Sequence, residues 1–197
     1  VDKENRAAGG RAVRKTSRRK IITVFGGSSE SIPRAYKDAA YDLGRRIARA
    51  GWVLKNGAGK GESCMGRAID GALDEGGRVE GVIIRRFLPL LHPRLSTVRI
   101  YTHMRDRKKD LLRADGCVVL PGGFGTLDEL SEILALKQAG VDGAHVILLN
   151  LRGYFDDLIR WFIDRLIPEG FLHRHHMELF RVSSSPAQTI QMLRRLV

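Results

Sequence analysis

Short apolar runs closed by glycine recur along this chain, and each gives way to a stretch with helical spacing. That rhythm limits the possible folds more than any other feature. In KIITVFGGSS, residues 20–29, a β-branched run ends in two glycines, the pattern of a buried strand followed by a turn. The next stretch, SIPRAYKDAAYDLGRRIARAG, places Tyr36, Ala40, Leu43 and Ile47 four, three and four residues apart. Such spacing makes one apolar helix face, with Gly51 as its stop. WVLKNGAG reads as a second strand and glycine turn, CMGRAIDGALDEGG as a helix ending at Gly76 and Gly77, and RVEGVII as a third strand. RFLPLLHPRLSTV, with its prolines, reads as an irregular loop. HMRDRKKDLLRA then resumes as helix, DGCVVLPGG as strand, TLDELSEILALKQAG as helix, AHVILLN as a last strand and GYFDDLIRWFIDRLI as helix. Near the end, Ser185, Pro186 and Gln188 are set as N-cap, N1 and N3 of a final helix.

Strands alternating with amphipathic helices predict an α/β fold: a Rossmann-like, doubly wound parallel sheet with helices on both faces. Residues 21–197 are expected to form a single domain of this kind, and 43% hydrophobic residues in 197 can fill its core. Ligands of such sheets sit beyond the carboxyl ends of the strands. The glycine turns after the first, second and Cys117-containing strands all belong to that one mouth.

The net charge of +12 resembles a nucleic-acid signal until it is mapped. Residues 1–20 carry eight basic groups against two acidic ones, a net +6. This tail has few apolar residues and no period, so a solvated, mobile extension is expected, although it could touch RNA or anionic lipid. The remaining +6 on the folded part suits an anionic substrate. No apolar run reaches the ~18 residues of a membrane span, and no signal-peptide pattern opens the sequence. Cys64 and Cys117 stand far apart with no CxxC spacing, which predicts buried thiols in a reducing, cytoplasmic setting.

Two common phosphate motifs fail. In GAGKGESCMG, Gly57 and Gly59 fit a dinucleotide GxGxxG, but Glu62 takes the third glycine position. A P-loop fails because Gly59-Lys60 is followed by Gly61 rather than Ser or Thr. PGGFGT leaves a more general use. Gly122, Gly123 and Gly125 permit positive φ and let an anion approach main-chain N–H groups, while Thr126 is expected to open the helix with a hydroxyl and the positive dipole end. An ordinary glycine hinge is the alternative. Glu129 is also ambiguous: Thr126-Leu127-Asp128-Glu129 is a T-x-x-E capping box, which local sequence alone favours. RDRKK, with Arg107 and Lys108, reads by default as a surface charge run. However, its helix and the glycine turn bracket one strand, so both can border the same mouth.

These residues resemble a known family. PGGFGTLDE is similar to the PGGxGTxxE signature of the LOG family, cytokinin riboside 5′-monophosphate phosphoribohydrolases also filed as lysine decarboxylase-like proteins. MRDRK resembles the family's MHxRK element, and VFGGSS, YKDAAYDLGRRIARAGWVL, MGRAIDGALDEGGRVEGVI and VILLNLRGYFDDLI are similar to further family stretches. The likeness covers nearly the whole chain after residue 20. It implies hydrolysis of the N-glycosidic bond of a nucleoside 5′-monophosphate to free base and ribose 5-phosphate. Glu129 would stabilise the oxocarbenium-like ribose and activate water, and Arg107 would orient Glu129 and contact substrate. Lys108 would help neutralise a phosphate held by Gly122, Gly123, Gly125 and Thr126. Phe124 and Met104, with Gly27, Ser28, Gly57 and Gly59 from the other turns, complete the expected binding surface.

No metal or organic cofactor is called for, and nothing resembles a pyridoxal phosphate lysine with its partner groups. The resemblance also implies a homodimer in which the neighbouring subunit finishes the site. Arg105 departs from the family's usual His, and NGAGKGESCMG replaces the commoner GGGSxGLMG. These departures leave open the preferred base, isoprenylated adenine or adenine, and the role, hormone production or salvage. A non-catalytic carrier of a phosphorylated ligand, of the molybdenum-cofactor-carrier type, is the rival reading. An RNA-binding protein would rest on the basic tail alone. His173, His175 and His176 cluster without a paired carboxylate motif and are expected at the surface.

Overall fold

A computed structural model of the protein describes residues 18–141 and 143–197. Most of the basic tail therefore lies outside the described residues. Seven strands form one sheet: β1 (Ile21–Phe25), β2 (Val53–Asn56), β3 (Arg78–Ile84), β4 (Thr97–Tyr101), β5 (Gly116–Val119), β6 (His145–Leu149) and β7 (Phe180–Ser183). Their order is β4-β3-β2-β1-β5-β6-β7, and every pairing is parallel. The chain winds outward from β1 to one edge, then returns to place β5 beside β1 and winds outward again. The carboxyl ends of β1 and β5 thus flank the switch point, where a doubly wound sheet opens a crevice.

Helices α1 (Arg34–Arg49), α2 (Cys64–Asp74) and α6 (Pro186–Leu196) cover one face with Leu43, Ile47, Ile69 and Leu193. The opposite face is covered by α3 (Met104–Leu112), α4 (Phe124–Gln138) and α5 (Asp156–Trp161), with Leu111, Leu130, Ile133 and Leu158 in its core. Because both faces are covered, β2 and β5 are buried at every position, although β2 carries Lys55 and Asn56 inside. Gly51 ends α1 at φ +76°, its N–H donating to Ala48 while that of Trp52 donates to Ile47. This is a Schellman ending, which a left-handed glycine allows. Ser185 caps α6 by accepting from the Gln188 N–H, as expected.

Helices α1 and α2 meet at two glycines. A methyl group at Gly44 would overlap the Ala68 carbonyl oxygen, and one at Gly71 would overlap that of Tyr41. On the other side, the buried Lys55 of β2 donates to the carbonyl oxygens of Asp110 and Arg113 and to the Asp110 carboxylate. Arg99 and Tyr101 of β4 donate to the same carboxylate. Burial works against the ionised Asp110, yet Lys55, Tyr101 and Arg99 together hold its carboxyl below the usual value. A buried charge survives only when it is paired and hydrogen-bonded in this way, and the network pins α3 to the sheet.

Three expectations need correction. The stretch assigned to an irregular loop, residues 86–98, overlaps a 3₁₀ turn at Arg85–Leu90 and the start of the edge strand β4. Four of the five residues of β4 are exposed, so it lacks the apolar signature of its neighbours. β7 was also unforeseen, being four residues long and exposed at its two central positions. The helix expected over residues 153–167 is broken into a 3₁₀ turn at Leu151–Gly153, α5 and a π turn at Phe162–Leu166. His173, His175 and His176 lie together at the start of a late 3₁₀ turn, with His173 and His175 exposed. Among the described residues no three His, Cys, Asp or Glu side chains are placed so that they could hold a metal ion, these histidines included. Cys64 and Cys117 are both buried, and burial pushes the Cys64 thiol up to about 11.

Candidate active site

Beyond their paired residues, β1 and β5 stay bonded: the Leu120 N–H donates to the Phe25 oxygen at 2.9 Å and the Gly27 N–H to the Pro121 oxygen at 3.0 Å. The glycine turn that follows divides into two kinds of position. At Gly122 a side chain would overlap the Thr126 hydroxyl, so the protein itself requires bare backbone there. At Gly123 and Gly125 an added methyl would meet only open space. None of the three adopts positive φ, contrary to the reason given for them above. Their bareness at 123 and 125 therefore serves no internal contact and leaves room for something outside the chain.

Helix α4 begins two residues earlier than expected, at Phe124, with Gly123 as N-cap and no side chain bonding its first amides. Thr126 is consequently inside the first turn, buried against Gly122 rather than opening the helix. With Thr126 off the N-cap position, the capping box does not form. Glu129 turns instead to Arg107 of α3, whose Nη1 lies 3.4 Å from Glu129 Oε1. A start of α4 at the positive end of its dipole with free amides is well suited to an anion.

A cleft of about 680 Å³ spans these turns. On one wall, Arg107 and Glu129 are 12% and 13% exposed at their side chains. Arg107 is held by donation from Nε to the Val82 oxygen at 3.1 Å and lies beside Met104, with Sδ 3.5 Å from Nη1. Its Nη2 lies over Gly57, where an added side chain would push the guanidinium out of place. Burial pushes the Glu129 carboxyl up, Arg107 opposes that, and Asp128 adds to it; the outcome is a value of about 7. A carboxyl titrating near neutrality in a cleft is suited to proton transfer. Farther along, Met65, Ile83, Phe87 and Leu90 make an apolar wall, fit for a flat heterocycle.

Of the expected site residues, Gly27, Ser28, Gly57 and Gly59 reach the cleft from the β1 and β2 turns. Met104, Arg107 and Glu129 reach it from α3 and α4, and Gly123 to Thr126 from the turn between β5 and α4. The Gly27 amide is committed to Pro121, so this glycine supplies space rather than a donor. Gly122 lies behind the wall. Lys108 is not on the wall: its Nζ is 3.0 Å from Asp128 and 2.8 Å from Glu132, and the phosphate role expected for it is not supported. Arg105, the departure from the family pattern, points to solvent beside Asp106. Sequence reasoning missed Met65, Phe87 and Leu90, the last two because they sit in the stretch read as a loop. A shallower depression of about 290 Å³ runs along α5 between Asp156 and Asp164, without a comparable acid–base pair.

The family described as "possible lysine decarboxylase" matches residues 65–193. A probable cytokinin riboside 5′-monophosphate phosphoribohydrolase of Oryza sativa subsp. japonica is 36% identical over 88% of this chain and 77% of its own. A cytokinin riboside 5′-monophosphate phosphoribohydrolase of Arabidopsis thaliana is 34% identical over 87% and 80%. The chain belongs to the LOG family.

Solved structures extend the LOG fold to proteins of another kind. The molybdenum cofactor binding protein of Rippkaea orientalis superposes with a TM-score of 0.67 at 25% identity, covering 91% of this LOG chain and 98% of its own. A Moco carrier protein of Chlamydomonas reinhardtii gives 0.69 at 22% identity over 91% and 98%, a likeness of fold alone. The LOG signature residues Gly122 to Glu129 are those that form the glycine turn and the carboxylate wall.

Proposed function

We propose that this protein is an N-glycosidase that hydrolyses nucleoside 5′-monophosphates, of the cytokinin type or simple, to free base and ribose 5-phosphate. The observation that carries the reading is the Arg107–Glu129 pair, buried in a cleft with a carboxyl poised near 7, beside a turn whose bare amides are left open. The names of the LOG relatives support the same substrate class. The phosphate is placed at the Gly123–Thr126 turn, where charge-assisted hydrogen bonds at about 1.5–3 kcal/mol each would do most of the holding. The base then extends along the Phe87 and Leu90 wall, whose apolar surface suits an adenine with an apolar substituent.

In the reaction, the C1′–N bond breaks and its electron pair leaves with the base, building positive charge on the ribose. The ionised Glu129 stabilises that charge and takes a proton from the water whose oxygen bonds to C1′. The departing base takes up a proton, so one water is divided between base and sugar. Arg107 keeps Glu129 oriented and ionisable. Since the fixed phosphate is remote from the breaking bond, its binding energy serves to position C1′.

The rival carrier reading has the Rippkaea orientalis neighbour in its favour. It leaves a buried carboxyl poised for proton transfer without a purpose. Incubation with a panel of nucleoside monophosphates, followed by assay for free base, separates the two. Release of adenine or isoprenyladenine is expected; binding without release would establish a carrier. The ring of Phe124, 92% exposed at the cleft, also supports a homodimer whose second copy covers the rim, which light scattering in solution would test. No helix among the described residues is long and apolar enough to cross a membrane.

A further inference from the structure

Behind the glycine turn, the Tyr154 hydroxyl donates to the Gly122 carbonyl oxygen at 2.7 Å. Tyr154 follows β6, where Arg152 and Gly153 both have positive φ, 56° and 72°. That double turn folds the chain back so that the ring lies against the β5–α4 connection. Tyr36 and Phe155 meet the ring edge-on, with centroids 5.9 and 5.1 Å away. Two edge contacts to its ring thus help to aim the hydroxyl.

The Gly122 oxygen and the Gly123 N–H belong to one planar peptide unit. This unit is trans, so its carbonyl and its N–H point in opposite directions. With the carbonyl drawn back towards Tyr154, the N–H faces forward, on the side where Gly123 lines the cleft. A peptide between two glycines can rotate with little steric resistance. In the rotated form an oxygen lone pair would face the cleft in place of a donor, and would repel an anion. A hydrogen bond to the carbonyl also polarises the opposite N–H.

We propose that Tyr154 is a positioning residue for anion binding: its hydroxyl fixes the Gly122–Gly123 peptide with the amide presented to the substrate's phosphate. The inference rests on the phosphate lying at this turn, as in the proposed function. Tyr154→Phe removes the hydroxyl and keeps both ring contacts. The expected result is an inhibition constant for ribose 5-phosphate and a KM for AMP each raised about tenfold. The turnover number should stay within about threefold of wild type, whereas damage that was only structural would lower it together with the thermal midpoint.

Unchanged constants for ribose 5-phosphate and AMP in Tyr154→Phe overturn the inference. Should that variant not fold, the Gly123 amide proton of the unaltered protein is followed by NMR during a titration with ribose 5-phosphate. A downfield shift supports the assignment and a stationary signal refutes it. A protein that binds ribose 5-phosphate but releases no base would sink the hydrolase reading and leave the Tyr154 inference in place. Normal hydrolysis with indifferent Tyr154→Phe constants would do the reverse. A wild-type protein with no affinity for ribose 5-phosphate would end both.

Discussion

Arg107 and Lys108 are neighbours on α3, Glu129 and Asp128 are neighbours on α4, and the two ion pairs they form work in different surroundings. Lys108 reaches Asp128 at 3.0 Å and Glu132 at 2.8 Å, and the Asp128 side chain is largely in water. The Lys108–Asp128 pair contributes at most about 1 kcal/mol, because water already reaches the Asp128 carboxylate. Arg107 and Glu129 are farther apart, at 3.4 Å, but both are shielded from water. There the carboxylate gains less from its partner than it loses by burial, and its proton is held up to about 7. The shorter pair is therefore a clamp between helices, and the longer one holds a group whose charge can change during a reaction.

The largest test of that contrast is Glu129→Gln, which should lower turnover of AMP by about 10²–10⁴ with the fold intact. An unchanged rate would reduce Glu129 to a structural residue. Arg107→Ala should lose about 10² in the same assay. Since Arg107 is the main influence holding the carboxyl down, its removal should also move the rising limb of kcat/KM, expected near pH 7 in the wild type, to higher pH. A limb that stays in place would separate that limb from Glu129.

Stability should respond in the opposite sense to activity. The folded state binds the Glu129 proton more tightly than the open chain, at about 7 against 4.5. Stability is thus fully present below about pH 4.5 and declines as the pH rises through 7, by roughly 3 kcal/mol in all. Glu129→Gln should raise the thermal midpoint at pH 8 and leave it unchanged at pH 4. Equal shifts at both values would refute the burial account. Smallest of all, Lys108→Met should change AMP turnover less than about threefold and stability by at most about 1 kcal/mol. A loss of a hundredfold would restore to Lys108 the phosphate role that its position argues against.

What could be read from the sequence follows burial. β1 and β5 are covered on both faces and announce themselves as short, mostly apolar runs; β4, exposed along most of its length, has no such mark. Thr126 looked like a cap because its hydroxyl and the glutamate three residues on fit a local rule. The rule lost to tertiary packing that set Thr126 against Gly122 and started α4 at Phe124. Arg107 and Glu129 are 22 residues apart; the strand between their elements put both at one mouth, and the family signature gave them their joint role. Tyr154 carried no signal of its own, because its partner is a backbone oxygen, which any sequence supplies.

The glycines between α1 and α2 have a consequence at a distance. The loop that enters α1 supplies Gly27, Ser28 and Glu30 to the cleft, and α2 with its entry supplies Ser63 and Met65. Gly44 and Gly71, deep between those helices, therefore act as a gauge on the width of the mouth. One added carbon at either would wedge the helices apart and spoil the grip on substrate while leaving every reacting group in the chain.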